Sequence, residues 1–99
     1  MKNKLKLVLW GKKLQLPEDF NKLKFDNYEL EYDNEYGYDL YIYKNNKMIK
    51  EIWYWENGNK CHESNYKNGE RNGKQYEWWV DGELDYEWNY KDGILIENT

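Results

Sequence analysis

Ninety-nine residues with a formal net charge of −4 make a single domain, too short to divide into two independent cores. One cysteine, Cys61, excludes an internal disulfide, and with His62 as the sole histidine there is no ligand set for a structural zinc site. Nineteen aromatic residues, one proline and no alanine make poor helix material and good strand material, and the rings supply burial that a disordered acidic chain lacks.

The first quarter is basic. Residues 1–25 hold seven lysines against Glu18 and Asp19, a balance of +5. Lys4 and Lys6 interrupt the short apolar run and no small-residue cleavage site follows it, so the expectation is a cytoplasmic chain without a leader. No stretch is long enough to span a bilayer as a helix. Leu5, Leu7 and Leu9 alternate as a strand, Trp10-Gly11-Lys12 can turn it, and Leu14 and Leu16 return. Pro17 followed by Glu18 and Asp19 suits a single helical turn reaching Leu23. Residues 1–27 are thus expected to extend or cover a sheet built from residues 28–99, and the sequence leaves open which.

Residues 26–99 are acidic, with eight Lys/Arg against 17 Asp/Glu, a balance of −9. Such a surface repels nucleic acid and anionic lipid and attracts basic partners. Predicted strands cover 28–32, 37–43, 47–55, 59–66, 74–80, 83–90 and 94–97. Asn-Gly and Asp-Gly pairs between them mark hairpins, because the tightest turns need positive φ at both central residues. Trp55-Glu-Asn-Gly58 recurs as Trp79-Val-Asp-Gly82, and Tyr66-Lys-Asn-Gly69 as Tyr90-Lys-Asp-Gly93, each at a spacing of 24. A worn copy precedes them at Tyr32-Asp-Asn-Glu35 and Tyr43-Lys-Asn-Asn46. Three units of one repeat therefore cover about residues 30–98, and the fold class is all-β, an antiparallel hairpin meander.

Alternation divides the side chains into two faces. Even positions, from Tyr28, Leu30 and Tyr32 through Ile52 and Tyr54 to Trp78, Trp88, Ile94 and Ile96, form one nearly continuous apolar face. Odd positions carry Glu29, Glu31, Asp39, Glu51, Glu63, Glu77, Glu83, Asp85 and Glu87 around Tyr41, Tyr43, Ile49, Trp53, Trp55 and Trp79. This second face reads either as another core under the N-terminal segment or as an exposed interaction patch.

Catalytic material is scarce. Gly69-Glu-Arg-Asn-Gly73-Lys74 has three residues between its glycines and no Ser or Thr after the lysine, and a strand-like run follows, so it reads as a turn rather than a phosphate loop. Cys61 and His62 are strand neighbours pointing to opposite faces and cannot act as nucleophile and base. Glu83, Asp85 and Glu87 recur on one side of a strand at roughly 7 Å, a loose match to inverting glycoside hydrolysis. They equally suit a polar strand face that resists edge pairing.

The run from Tyr66 to Gly82 resembles a MORN-type repeat, in particular the bacterial variant whose members carry an antitoxin-component label. The resemblance is close over about residues 50–98 and loose over 30–50, where Glu35 and Asn46 stand in place of glycines. It implies a β-hairpin meander serving as a non-catalytic scaffold or binding surface, with no cofactor and no metal. Taken with the charge, the expectation is a protein-binding inhibitor of antitoxin or immunity type that occludes a basic surface, such as that of a toxin, nuclease or other nucleic-acid enzyme. Its candidate site comprises Tyr41, Tyr43, Trp53, Trp55 and Trp79, where rings supply burial, and Glu51, Glu63, Glu77, Glu83, Asp85 and Glu87, where carboxylates steer and pair. The alternatives are a glycan or small-ligand module stacking on Trp53, Trp55 and Trp79, or a repeat module that self-associates.

Overall fold

A computed structural model describes residues 14–16, 22–33 and 37–98. Their secondary structure is strand and turn, and no helix occurs among them. One antiparallel sheet runs in chain order through β1 (Asn27–Asp33), β2 (Gly37–Lys44), β3 (Lys47–Trp55), β4 (Lys60–Lys67), β6 (Gly73–Trp78), β7 (Leu84–Lys91) and β8 (Ile94–Asn98). The two-residue β5 (Glu70–Arg71) pairs only with β4. The expected meander of hairpins is the fold, and the predicted strand boundaries differ from the observed ones by two residues at most. The strand pair expected from Leu5 onward and the helical turn expected from Pro17 lie largely outside the described residues.

Turn chemistry sets the strand ends. Asn45 and Asn46 (φ +52° and +64°), Asn68 and Gly69 (+52° and +81°), and Asp92 and Gly93 (+49° and +84°) form three two-residue turns with positive φ at both central positions. The other turn type repeats bond for bond. Gly58 N donates to Trp55 O at 2.9 Å and Trp55 N to Asn59 O at 2.8 Å; Gly82 N donates to Trp79 O and Trp79 N to Glu83 O at the same distances. An Asx bond stabilises each, from Asn59 N to Asn57 Oδ1 and from Glu83 N to Asp81 Oδ1. The two turns also touch, since Asn57 and Asn59 both donate side-chain amides to Val80 O. The bulge follows the same period. Cys61 lies between the paired residues His62 and Lys60, and Asp85, 24 positions on, between Tyr86 and Leu84, each without a partner across the ladder. Gly37 is required by a close approach: at φ +133°, a Cβ there would lie 2.3 Å from Tyr54 O.

The core sits at one end. Leu40, Ile42 and Ile52 are fully excluded from solvent and pack with Tyr28, Tyr38 and Tyr54 beneath Leu14 and Phe25. Each such aliphatic side chain contributes about 1.5–3 kcal/mol. The covering segment is pinned by Gln15 N to Gly58 O at 2.8 Å and Asp26 N to Tyr43 O at 2.9 Å. It covers the face of the even residues of β1–β3, hereafter the inner face.

The division into even and odd faces holds for β1–β3 and fails beyond. Directly paired residues on neighbouring antiparallel strands share a face. β1–β2 and most of β2–β3 pair even with even: Leu30 with Leu40, Leu40 with Ile52. β3–β4 and β6–β7 up to their bulges, and β4–β6, pair even with odd: Ile52 with Glu63, Glu63 with Tyr76, Tyr76 with Glu87. Parity therefore switches at each of these three junctions. Glu63 and Glu87, expected on the acidic face, belong to the inner face. Tyr86 and Trp88, expected in the core, belong to the outer one. Nor does the apolar face continue as core to the end of the chain, for Leu84, Ile94 and Ile96 are exposed.

Candidate functional site

Strand pairing brings two rows of outer-face residues together. One row runs Glu31, Asp39, Trp53, His62, Glu77, Tyr86 across six strands; the other runs Glu29, Tyr41, Glu51, Ser64 across four. Trp53 is 46% and Trp79 56% exposed, so these two rings are not part of a second core.

Trp53, Trp55, Trp78, Trp79, Glu77 and Asp85 line a shallow depression of about 230 Å3, with Cys61 and His62 at its floor strand. The β-bulge opens it. Because Cys61 and Asp85 have no partner across the ladder, the strands twist there and the Trp79 turn stands beside β3 and β4. Trp53 leans on His62 with ring centroids 5.0 Å apart, and its Nε1 donates to Glu51 Oε2. Trp55, on the wall, has a buried Nε1–H with no acceptor among the described residues.

The remaining expected residues are dispersed. Tyr41 is half-buried on the outer face and donates its hydroxyl to Asp39 Oδ2 at 2.7 Å, while Tyr43, also half-buried, lies two residues farther along β2. Glu51 and Glu77 belong to the outer face, and exposed Glu83 forms the end of the Trp79 turn. Glu63 is buried between Lys50 and Lys60, 3.0 Å from each ammonium. Glu87 pairs with Lys74 at 2.7 Å. The last two residues thus leave the site, because the parity switches carry them to the other face.

Electrostatics of the outer face centre on Asp39, which the sequence reading left outside the candidate set. Burial raises its carboxyl from 3.8 to about 7; the Tyr41 hydroxyl opposes this, and the neighbouring Glu51 and Glu31 reinforce it. Asp39 Oδ1 is buried without a hydrogen-bond partner among the described residues. The Tyr41 phenol is in turn pushed up, chiefly by its bond to Asp39. Burial lowers His62, against the pull of Glu77, whose Oε1 lies 3.6 Å from Nδ1, so the ring is neutral at pH 7. Burial and Glu77 raise the Cys61 thiol, which keeps it protonated and unreactive. No group of three or more His, Cys, Asp or Glu among the described residues is placed to hold a metal ion.

A second concavity lies on the inner face where the core ends. About 370 Å3 in volume, it is lined by Lys50, Lys60 and Lys74, by Glu63 and Asn65, and by the rings of Tyr76 and Trp78. None of its lysines was singled out from the sequence. Lys50 could have been, for it stands at an even position between Met48 and Ile52, where alternation calls for an apolar side chain.

Compared with known proteins, the chain matches no family model, no curated protein and no solved structure.

Proposed function

We propose that this chain is a non-catalytic protein-binding module whose outer face occludes a basic surface of a partner protein. The observation that carries the reading is the coincidence, on one face, of the exposed rings of Trp53, Trp79 and Tyr86 with the carboxylates of Glu29, Glu31, Glu51 and Glu77. Exposed aromatic clusters mark interaction surfaces, and charge of one sign around them steers a complementary partner into register. The resemblance of the Tyr66–Gly82 stretch to MORN-type repeats agrees with a scaffold role. So does the Cys61 thiol, which burial and Glu77 hold in its protonated form.

Affinity capture from the producing cells, run in parallel with the wild type and Trp79→Ala, tests the reading. A basic protein retained by the wild type and depleted about tenfold or more on the variant, as for a central interface tryptophan, supports it. Equal recovery on both, or partners with no basic surface, contradicts it.

Glycan or small-ligand binding is the second reading, favoured by the Trp55 Nε1–H, which has no acceptor among the described residues, beside a depression with four tryptophans. Under that reading, indole fluorescence responds saturably to a member of a sugar panel, and the response vanishes in Trp79→Ala. A flat response across the panel removes it.

A further inference from the structure

The outer-face depression joins exposed indole rings to carboxylates. Trp53 and Trp79 are about half-exposed at its rim, and Glu77 and Asp85 place two carboxyl groups on the same surface. Among the described residues, no lysine or arginine lines it. The Glu77 side chain is 45% exposed and has His62 Nδ1 3.6 Å from Oε1, but that ring is neutral and does not balance its charge. Asp85 is the bulge residue of β7, with no partner across the ladder and no ion pair among the described residues.

Two cations of the chain come near and are held elsewhere. Lys60 Nζ lies 5.2 Å from the Trp78 ring centroid and bonds Glu63 at 3.0 Å in the inner-face cavity, which shares Trp78 with the depression. Trp78 therefore already serves an internal cation. Arg71, whose charge reaches His62, lies 5.5 Å from the Tyr90 ring centroid and donates to the Tyr90 hydroxyl at 3.5 Å. Trp53 and Trp79 are the rings left to meet a cation from outside.

The geometry selects among cations. A volume of about 230 Å3 falls below the range of small-molecule sites, about 300–1,000 Å3, and suits one side chain of a larger partner. A quaternary ammonium has no N–H to offer Glu77 and Asp85. A lysine ammonium is compact and strongly hydrated, so setting it against indole faces costs it water. A guanidinium is planar and weakly hydrated; its face stacks on an indole while its edge donates to carboxylates.

We propose that this depression receives one arginine side chain of the partner, its guanidinium stacked on Trp79 and its N–H edge paired with Glu77 and Asp85. The proposal rests on the occlusion reading above and adds to it the residue that is recognised. Trp53, braced against His62 with ring centroids 5.0 Å apart, supplies a second wall that is already in place. Arginine and tryptophan are the residues most often found at the centres of interfaces, and here each meets the other.

The test is a 1H–15N NMR titration of the full chain with N-acetyl-arginine amide, N-acetyl-lysine amide and N-acetyl-citrulline amide. The lysine compound matches arginine in charge and ionic strength, and the citrulline compound matches it in shape without the charge. Saturable shifts of the Trp53 and Trp79 indole N–H signals with arginine, at concentrations up to about 50 mM, are the expected result. Lysine binds about threefold more weakly, the size of one exposed cation–π contact, and citrulline gives no saturable shift. Both test side chains are about half-exposed, so their variants keep the fold. Trp79→Ala erases the preference for arginine over lysine, read at the Trp53 indole. Glu77→Gln, which keeps an acceptor toward His62, weakens arginine binding by about threefold. No saturation by arginine, lysine or citrulline bound as tightly as arginine, a preference that survives in Trp79→Ala, or an arginine affinity unchanged by Glu77→Gln overturns the proposal. The titration needs no partner, so it and the affinity capture can fail separately: a basic protein captured by a chain that does not distinguish arginine from lysine keeps the occlusion reading and removes this one.

Discussion

At the scale of single residues, Asp39 carries a testable pH dependence. Its carboxyl titrates at about 7 in the folded chain against 3.8 for the free side chain, raised first by burial and then by Glu51 and Glu31. A group whose pKa is raised on folding contributes stability that is full below its unfolded pKa and is lost as pH rises through the folded one. The contribution from Asp39 therefore disappears between about pH 4 and about pH 7. Asp39→Asn removes the titration and keeps an acceptor for the Tyr41 hydroxyl. Thermal unfolding should show the variant equal to the wild type at pH 4 and more stable at pH 8. The gain should be on the order of 1–2 kcal/mol once solvent screening of the half-exposed carboxyl is discounted. Equal stabilities at pH 8 would mean that Asp39 ionises without cost.

At the scale of elements, the hairpins were legible from the chain and the faces were not. Asn68-Gly69 and Asp92-Gly93 announce their turns because few residue pairs tolerate two successive positive φ values, and alternation marks the strands between. Asn45-Asn46 adopts the same turn without glycine, and its first amide donates to Asp26 Oδ2 at 2.6 Å. Asn46→Gly should therefore stabilise the protein by about 0.5 kcal/mol in urea unfolding, the left-handed penalty removed exceeding the entropy added to the unfolded chain. Destabilisation would show that the Asn46 side chain makes a contact the turn depends on.

Which face a residue occupies depends on register, and register depends on how each turn closes. Ile52 beside Glu63, and Glu63 beside Tyr76, follow from an odd offset that strand periodicity alone does not reveal. The candidate site was legible as far as Trp53, Trp55, Trp79, Glu77 and Asp85. Glu63 and Glu87 were misplaced for this reason, and Lys50, Lys60 and Lys74 escaped notice with them.

At the scale of the whole molecule, stability and binding surface are unequally distributed along the sheet. The buried apolar cluster lies on β1–β3 and the segment over them, whereas β7 and β8 expose Leu84, Tyr86, Ile94, Leu95 and Ile96. Amides of β7 and β8 should exchange through openings of lower free energy than those of β2 and β3, as native-state hydrogen exchange will measure. Uniform protection across the sheet would indicate that the inner-face ion pairs of Glu63 and Glu87 stabilise the C-terminal hairpins as well as the core stabilises β2. The exposed apolar residues at this end also give self-association a place to occur, and a mass that rises with concentration in light scattering would report it.

Occlusion of a basic protein surface by the outer face is most directly tested by site-specific photocrosslinking in the producing cells. A photoreactive phenylalanine analogue replaces Trp79 on the outer face in one variant and Lys74 at the inner-face cavity in another. The account predicts an adduct with a basic protein from position 79. That adduct is abolished by Glu51→Lys together with Glu77→Lys, and position 74 does not form it. Adduct formation with that protein from position 74 but not 79, or from position 79 regardless of the charge reversals, would contradict it.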